Sequence, residues 1–109
     1  MRCLVSEQAQ AGSIFLTGND LVKVMREDDN ANVHSPNTSY YDVGIYSGFV
    51  VGVYDTSSVL NMICPSTSVT RGQAKAIVAK YLKLNPEKWE DSAVNLVFTA
   101  LVNAFPCKK

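Results

Sequence analysis

Gly44, Gly48 and Gly52 stand at strict four-residue intervals inside the longest weakly charged apolar run of the chain, "VGIYSGFVVGVY" from Val43 to Tyr54. That period lines up all three along nearly one side of an α-helix. The residue types of "FVVGVY" suit a strand, but no apolar–polar alternation accompanies them, so the segment from Tyr40 to Met62 is predicted to be helical. Each helical glycine costs roughly 1 kcal/mol relative to alanine. Three in register therefore need a compensating contact, and close approach of another backbone is the natural one. That backbone lies either inside the chain or across a dimer seam, and the first is the leading expectation. The run is only 12 residues long between Asp42 and Asp55. A bilayer span takes about 20, so no membrane-spanning segment is expected.

Other helices follow from their start signals. Thr17 and Asp20 in "TGNDLVKVMRE" form a capping-box pattern, after which Leu21, Val24 and Met25 share a face. "DDNANVHSPNTS" (Asp28 to Ser39) is almost devoid of apolar residues and reads as a loop. Thr70 and Gln73 make a second capping box, opening a helix whose inner face is expected to hold Ala76, Ile77, Ala79, Tyr81 and Leu82, with Lys75, Lys80 and Lys83 outside. Pro86 stops that helix, and Asp91 or Ser92 caps the next. The last helix, "SAVNLVFTALVNAF", carries a stripe of Ala93, Val97, Ala100, Leu101 and Ala104, broadened by Val94, Leu96, Phe98, Val102 and Phe105. Such a helix belongs at the centre of a core. The expected fold is all-α: a compact bundle of about four helices, with residues 17–109 as a single helical domain.

With 47% hydrophobic and 18% charged residues in 109, the chain can bury a core of its own. Ten basic and ten acidic residues cancel, which leaves no electrostatic grip on phosphate and argues against a nucleic-acid partner.

Catalytic patterns are thin. The lone His34 lies in the polar loop beside a Ser-Pro, the setting of a solvated residue. "REDDN" (Arg26 to Asn30) lacks the ligand order of a calcium loop, and no zinc spacing occurs. Glu87, Glu90 and Asp91 beside Trp89 do not define an acid and a base, and Trp89 suits packing better than a ligand platform. No catalytic residue, metal or cofactor is expected, and the chain is not read as an enzyme. A nucleophile built from Cys64 and His34 would require that thiol to be free.

Three cysteines bear on compartment. Cys64 and Cys107 flank the last two predicted helices, whereas Cys3 lies in "MRCLVSEQAQAGS". There Ala9-Gln10-Ala11 has the small-x-small form of a signal-peptidase site, so residues 1–16 read as a leader remnant or a disordered start. Cys64 and Cys107 either pair or remain buried thiols. Pairing would close about 44 residues and contribute on the order of 4 kcal/mol; the leader-like start favours it, in an oxidising compartment such as the periplasm.

"SGFVVGVYD" (Ser47 to Asp55), "CPSTSVTRGQ" (Cys64 to Gln73) and the stretch from Val78 to Cys107 ending in "AFPC" occur in that order. In this order, a G-[FY]-x-x-G-V segment, a Cys-Pro turn leading to V-T-x-G-Q, a K/R-Y-L…P-E segment and a terminal A-F-P-C, the chain resembles the Rap/Tai immunity family. The resemblance covers about Thr17 to Cys107 and is nearest to the amidase-type-4 branch. It implies a small periplasmic all-α protein that neutralises a peptidoglycan amidase delivered by type VI secretion, working as a homodimer without catalytic groups. Many members carry a further cysteine pair where this chain has Met25 and Tyr46, so the resemblance implies Cys64–Cys107 as the surviving bond. "CPSTSVT" is also more polar than the Cys-Leu-Pro form of the family. The implied effector-binding element is Pro65, Ser66, Thr67, Ser68, Val69, Thr70 and Arg71, with Ser66 to Val69 facing outward. Gly44, Gly48 and Gly52 mark the dimer or close-packing face. The competing reading is a non-catalytic periplasmic module that takes a peptide or small ligand near Tyr40, Tyr41 and Trp89.

Overall fold

The computed structural model describes residues 14–108, so the leader reading of residues 1–16 lies outside it up to residue 13, while Leu16 O accepts from Ala93 N at 3.0 Å. Four helices follow in order: α1 (Gly18–Asn32), α2 (Tyr40–Val59), α3 (Arg71–Leu84) and α4 (Ala93–Ala104), with a 3-10 turn at Pro86–Lys88. Among the described residues the only β-type pairing is an isolated bridge between Thr17 and Ser92, so the all-α expectation holds. No helix there is long and apolar enough to cross a membrane.

Each helix begins where a short polar side chain meets an orphan amide. Thr17 Oγ1 accepts from Asp20 N at 3.2 Å, and Asp20 Oδ2 accepts from Thr17 N at 3.1 Å. Thr70 and Gln73 repeat the exchange at 3.1 and 2.7 Å. Ser39 caps α2, and its own amide donates to Glu27 Oε1 of α1 at 2.8 Å, tying the two helices at the loop. Ser92 is the cap of α4, while Asp91 accepts from the Asn95 side chain. The expected end of α2 at Met62 is three residues too late. Asn61 takes a left-handed conformation (φ 58°), which asparagine tolerates better than most residues, and the amide of Met62 folds back to Ser57 O at 2.8 Å.

The core gathers Leu21 and Met25 of α1, Tyr46 and Val50 of α2, Val78 and Leu82 of α3, and Val97 and Leu101 of α4, all essentially without exposure. Met25 and Tyr46, at the positions where the resemblance places a second cysteine pair, are both buried, so α1 and α2 are joined here by packing. Two faces differ from expectation. In α3 the buried side chains are Ala74, Val78, Ala79 and Leu82, whereas Ala76 is exposed. In α4 Leu96 belongs to the buried stripe and Ala104 does not.

The rotation of α3 turns Lys75 inward. Its Nζ donates to Asp28 Oδ1 of α1 at 3.0 Å and to Ser47 Oγ of α2 at 2.9 Å. Beside it, Tyr46 Oη donates to the Lys75 carbonyl at 2.6 Å. One lysine thus joins three helices. Burial pushes the Tyr46 phenol far above its usual range, and the charges of Asp28 and Asp29 push it in the same direction.

Glycine plays two opposite parts. A Cβ on Gly18 would lie 2.5 Å from both the Leu96 side chain and the Trp89 carbonyl oxygen, so α1 crosses close to the start of α4 only because no side chain intervenes. A Cβ on Gly44, Gly48 or Gly52 would meet nothing within 4 Å. Among the described residues the expected close approach is therefore absent: α2 turns its glycine side away from them.

Replacing Gly18 by Ala is expected to cost about 1–3 kcal/mol through forced displacement, whereas Gly44→Ala should gain about 0.5–1 kcal/mol from helix propensity. Urea unfolding of the two variants tests the contrast; equal shifts would contradict it. Lys75→Ala strands the buried Asp28 carboxylate and should cost about 2–3 kcal/mol. The exposed pair of Lys83 with Asp29 should cost less than about 1 kcal/mol when Lys83 is removed, and the two variants can be compared in the same unfolding series.

Candidate functional site

The connector from α2 to α3 is short, and both its ends are fixed. Cys64 is bonded to Cys107, with Cα atoms 4.9 Å apart, and its amide donates to Phe105 O at 2.9 Å. The ring of Phe105 stands nearly perpendicular to that of Tyr54, the centroids 6.0 Å apart. At the far end the Thr70–Gln73 capping box sets the first turn of α3. Between these anchors Ser66 Oγ and Ser68 Oγ lie 3.0 Å apart, and the Ser68 amide points at Ser66 Oγ at 3.4 Å, so the turn closes on itself.

Ser66, Thr67 and Ser68 are exposed, as are Thr70 and Arg71 at the start of α3. Pro65 is half-buried. So is Val69, which was expected to face outward with the three residues before it; it lines crevices with Ile77 and Phe105 on one side and Val51 and Tyr54 on the other. The presented part of the connector is therefore a hydroxyl-rich tip seated on a small apolar foot.

A tip of this kind offers hydroxyls and main-chain groups for hydrogen bonds, and Arg71 adds a fixed positive charge beside it. With Cys64 in a disulfide, the pairing of Cys64 with His34 falls away. His34 is exposed in the α1–α2 loop with a left-handed backbone. Trp89 is committed to packing, since its indole N–H donates to Leu82 O at 2.8 Å and Arg26 lies 5.5 Å from the ring centre. Tyr40 and Tyr41 are largely exposed at the start of α2.

A second feature went unread in the sequence. Between α2 and α4 runs an open apolar groove of about 650 Å³, with Gly48 and Gly52 on one side and Phe49, Val53, Val94 and Phe98 around it. None of Tyr40, Tyr41 or Trp89 borders it. The glycine spacing was the available signal; what it lacked was the position of α4.

A sequence model of the Rap1a immunity proteins matches residues 17–107, from the cap of α1 to the second half of the disulfide, and the chain belongs to that family. Comparison with curated proteins gives no match. The protein is accordingly an immunity protein, whose task is to bind an effector partner.

Replacing Cys64 and Cys107 together by Ser should lower unfolding free energy by about 2–4 kcal/mol. It should also raise backbone amide exchange over 64–70 more than in the middle of α2, as followed by hydrogen-exchange mass spectrometry. A uniform increase would mean that the bond stabilises the fold without specially ordering the tip.

Proposed function

We propose that this immunity protein is a periplasmic inhibitor of a peptidoglycan amidase delivered by type VI secretion. Residues 17–109 act as a single helical domain, two copies associate, and the connector from Pro65 to Arg71 fills the amidase's active-site cleft. The observation that carries this reading is the combination of tethering and exposure: the tip is anchored at Cys64 and at Thr70, yet Ser66, Thr67 and Ser68 face solvent. A segment already ordered gives up less conformational entropy on docking than a flexible one. An inhibitor that works by occlusion needs this property and no catalytic group.

The disulfide supports an oxidising compartment, because such bonds persist in the periplasm and are rare where thiols are kept reduced. The alternative of a peptide- or ligand-binding module around Tyr40, Tyr41 and Trp89 gains nothing from the geometry, since Trp89 has its indole N–H and one ring face occupied within the fold.

Titration of the protein into peptidoglycan hydrolysis by the amidase encoded beside it is expected to abolish turnover at stoichiometric ratio. A variant with Ser66 to Val69 replaced by a glycine–serine run should inhibit at least roughly a hundredfold less well, about 2.7 kcal/mol of binding, with its far-ultraviolet circular dichroism unchanged. Undiminished inhibition by that variant would remove the connector from the mechanism. Failure of the unaltered protein to inhibit would remove the amidase.

A further inference from the structure

We infer that the crevice between α2 and the first turns of α3 is a carboxylate-binding site beside the tip, and that it takes an aspartate or glutamate side chain of the amidase. This rests on the proposed function and adds the chemistry of a second contact to it. The crevice is open, about 490 Å³ in volume, and lined by Ser47, Gly48 and Val51 of α2 and by Arg71, Gly72 and Lys75 of α3. Two cations border it and no carboxylate does.

Its donors exceed its acceptors. Asp28 and Ser47 accept from the Lys75 ammonium, which carries a further N–H for another acceptor. Among the described residues the ion pairs are Lys75 with Asp28 and Lys83 with Asp29, and the Arg71 guanidinium is in neither. Asp55 borders the neighbouring crevice, which Arg71 also lines, without closing an ion pair. The planar fork of an arginine matches a carboxylate through parallel hydrogen bonds, and an ammonium in the same wall adds a point charge. The Lys75 side chain is only 21% exposed, so salt screens it less than a surface charge. Room for the acid is present too, since Gly48 has no side chain to fill the crevice and a Cβ there would meet nothing within 4 Å.

Charge along the chain points to a macromolecular acid. From Thr56 to Pro86 there are four basic residues and no acidic one, although the chain as a whole is neutral. That stretch contains the tip, so an acidic surface is drawn to the tip's side of the molecule. Arg71 follows the Thr70 cap directly, which makes the crevice continuous with the anchor of the tip. A partner whose cleft takes Ser66 to Ser68 therefore meets Arg71 within a few residues of that contact.

Binding of the full chain to the amidase encoded beside it is measured by isothermal titration calorimetry. Arg71→Gln removes the fork, and Ser47→Asp sets a carboxylate of the chain's own against Lys75; each should weaken binding at least roughly tenfold. Double-mutant cycles then combine Arg71→Gln with Asn or Gln in place of each acidic residue around the amidase cleft. One of these should couple to Arg71 by at least roughly fivefold, a signature that a merely structural role of Arg71 would not produce. The cycle replaces only the exposed Arg71, so it decides the matter even where circular dichroism finds Ser47→Asp misfolded. Undiminished binding by either folded variant, or coupling to none of the acidic residues, would overturn the crevice and leave the tip in place. No binding by the unaltered protein would overturn the amidase and the crevice's occupant together.

Discussion

Helix α4 is held at both of its ends by residues far away in the chain, and the position of everything else follows from that. At its start, Ala93 N donates to Leu16 O at 3.0 Å and Gly18 N to Asp91 O at 2.7 Å, so the entry to α1 and the entry to α4 are stitched side by side. At its end, the Cys64–Cys107 bond and the hydrogen bond from Cys64 N to Phe105 O fix the residues that follow it against the connector. A helix of 12 residues has little stability by itself. Clamped at both ends, it presents Ala93, Leu96, Val97, Ala100 and Leu101 as a stationary surface on which the other helices close. Small residues share that stripe with large ones, and at Ala93 the backbone leading into α1 comes within hydrogen-bond distance.

The same clamp explains why the connector is ordered without being buried. A turn of polar residues gains little from burial, and its shape must be imposed from its ends. Cys64 takes its place from α4, and Thr70 takes its place from α3. Lys75, one turn further on, keeps α3 in register with α1 and α2 through Asp28 and Ser47. The chain of constraint thus runs from a buried ion pair through a helix cap to an exposed tip, and each link lies within a few residues of the next.

What the sequence made legible was local. Both capping boxes, the helix count and the turn at Cys64 depend on neighbours within four residues, and the structure has them where the pattern put them, whereas α1 runs on to Asn32 through the first five residues of the expected loop. The disulfide came within reach as one of two alternatives. The errors of facing share a cause: they concern which side of a helix meets which other helix, whereas the ends of α1 and α2 were misplaced along the chain. In "RGQAKAIVAKYLKL" alanine and lysine alternate so closely that the apolar phase is weak, and the placement of Ala76 inside and Lys75 outside was reversed by Asp28, a partner 47 residues away. Lysine on a helix is normally solvated, and nothing near it in sequence announces a buried carboxylate. Gly18 was silent for a related reason, since one glycine at a helix start looks like a permissive cap until α4 is set against it.

The glycines of α2 carry this reasoning furthest. A period of four specifies a smooth strip on a helix but not what lies over it, and the described residues put nothing there. Three uncompensated glycines are a local defect at roughly 1 kcal/mol apiece, and a well-adapted sequence tolerates a local conflict chiefly where function uses it. In an immunity protein whose hydroxyl-rich tip and charge-free groove are separate features of the surface, the two have separate requirements. The tip is polar and takes its shape from anchors at both ends. The groove is uncharged and open on the described surface, where α2 carries no side chain at Gly48 and Gly52.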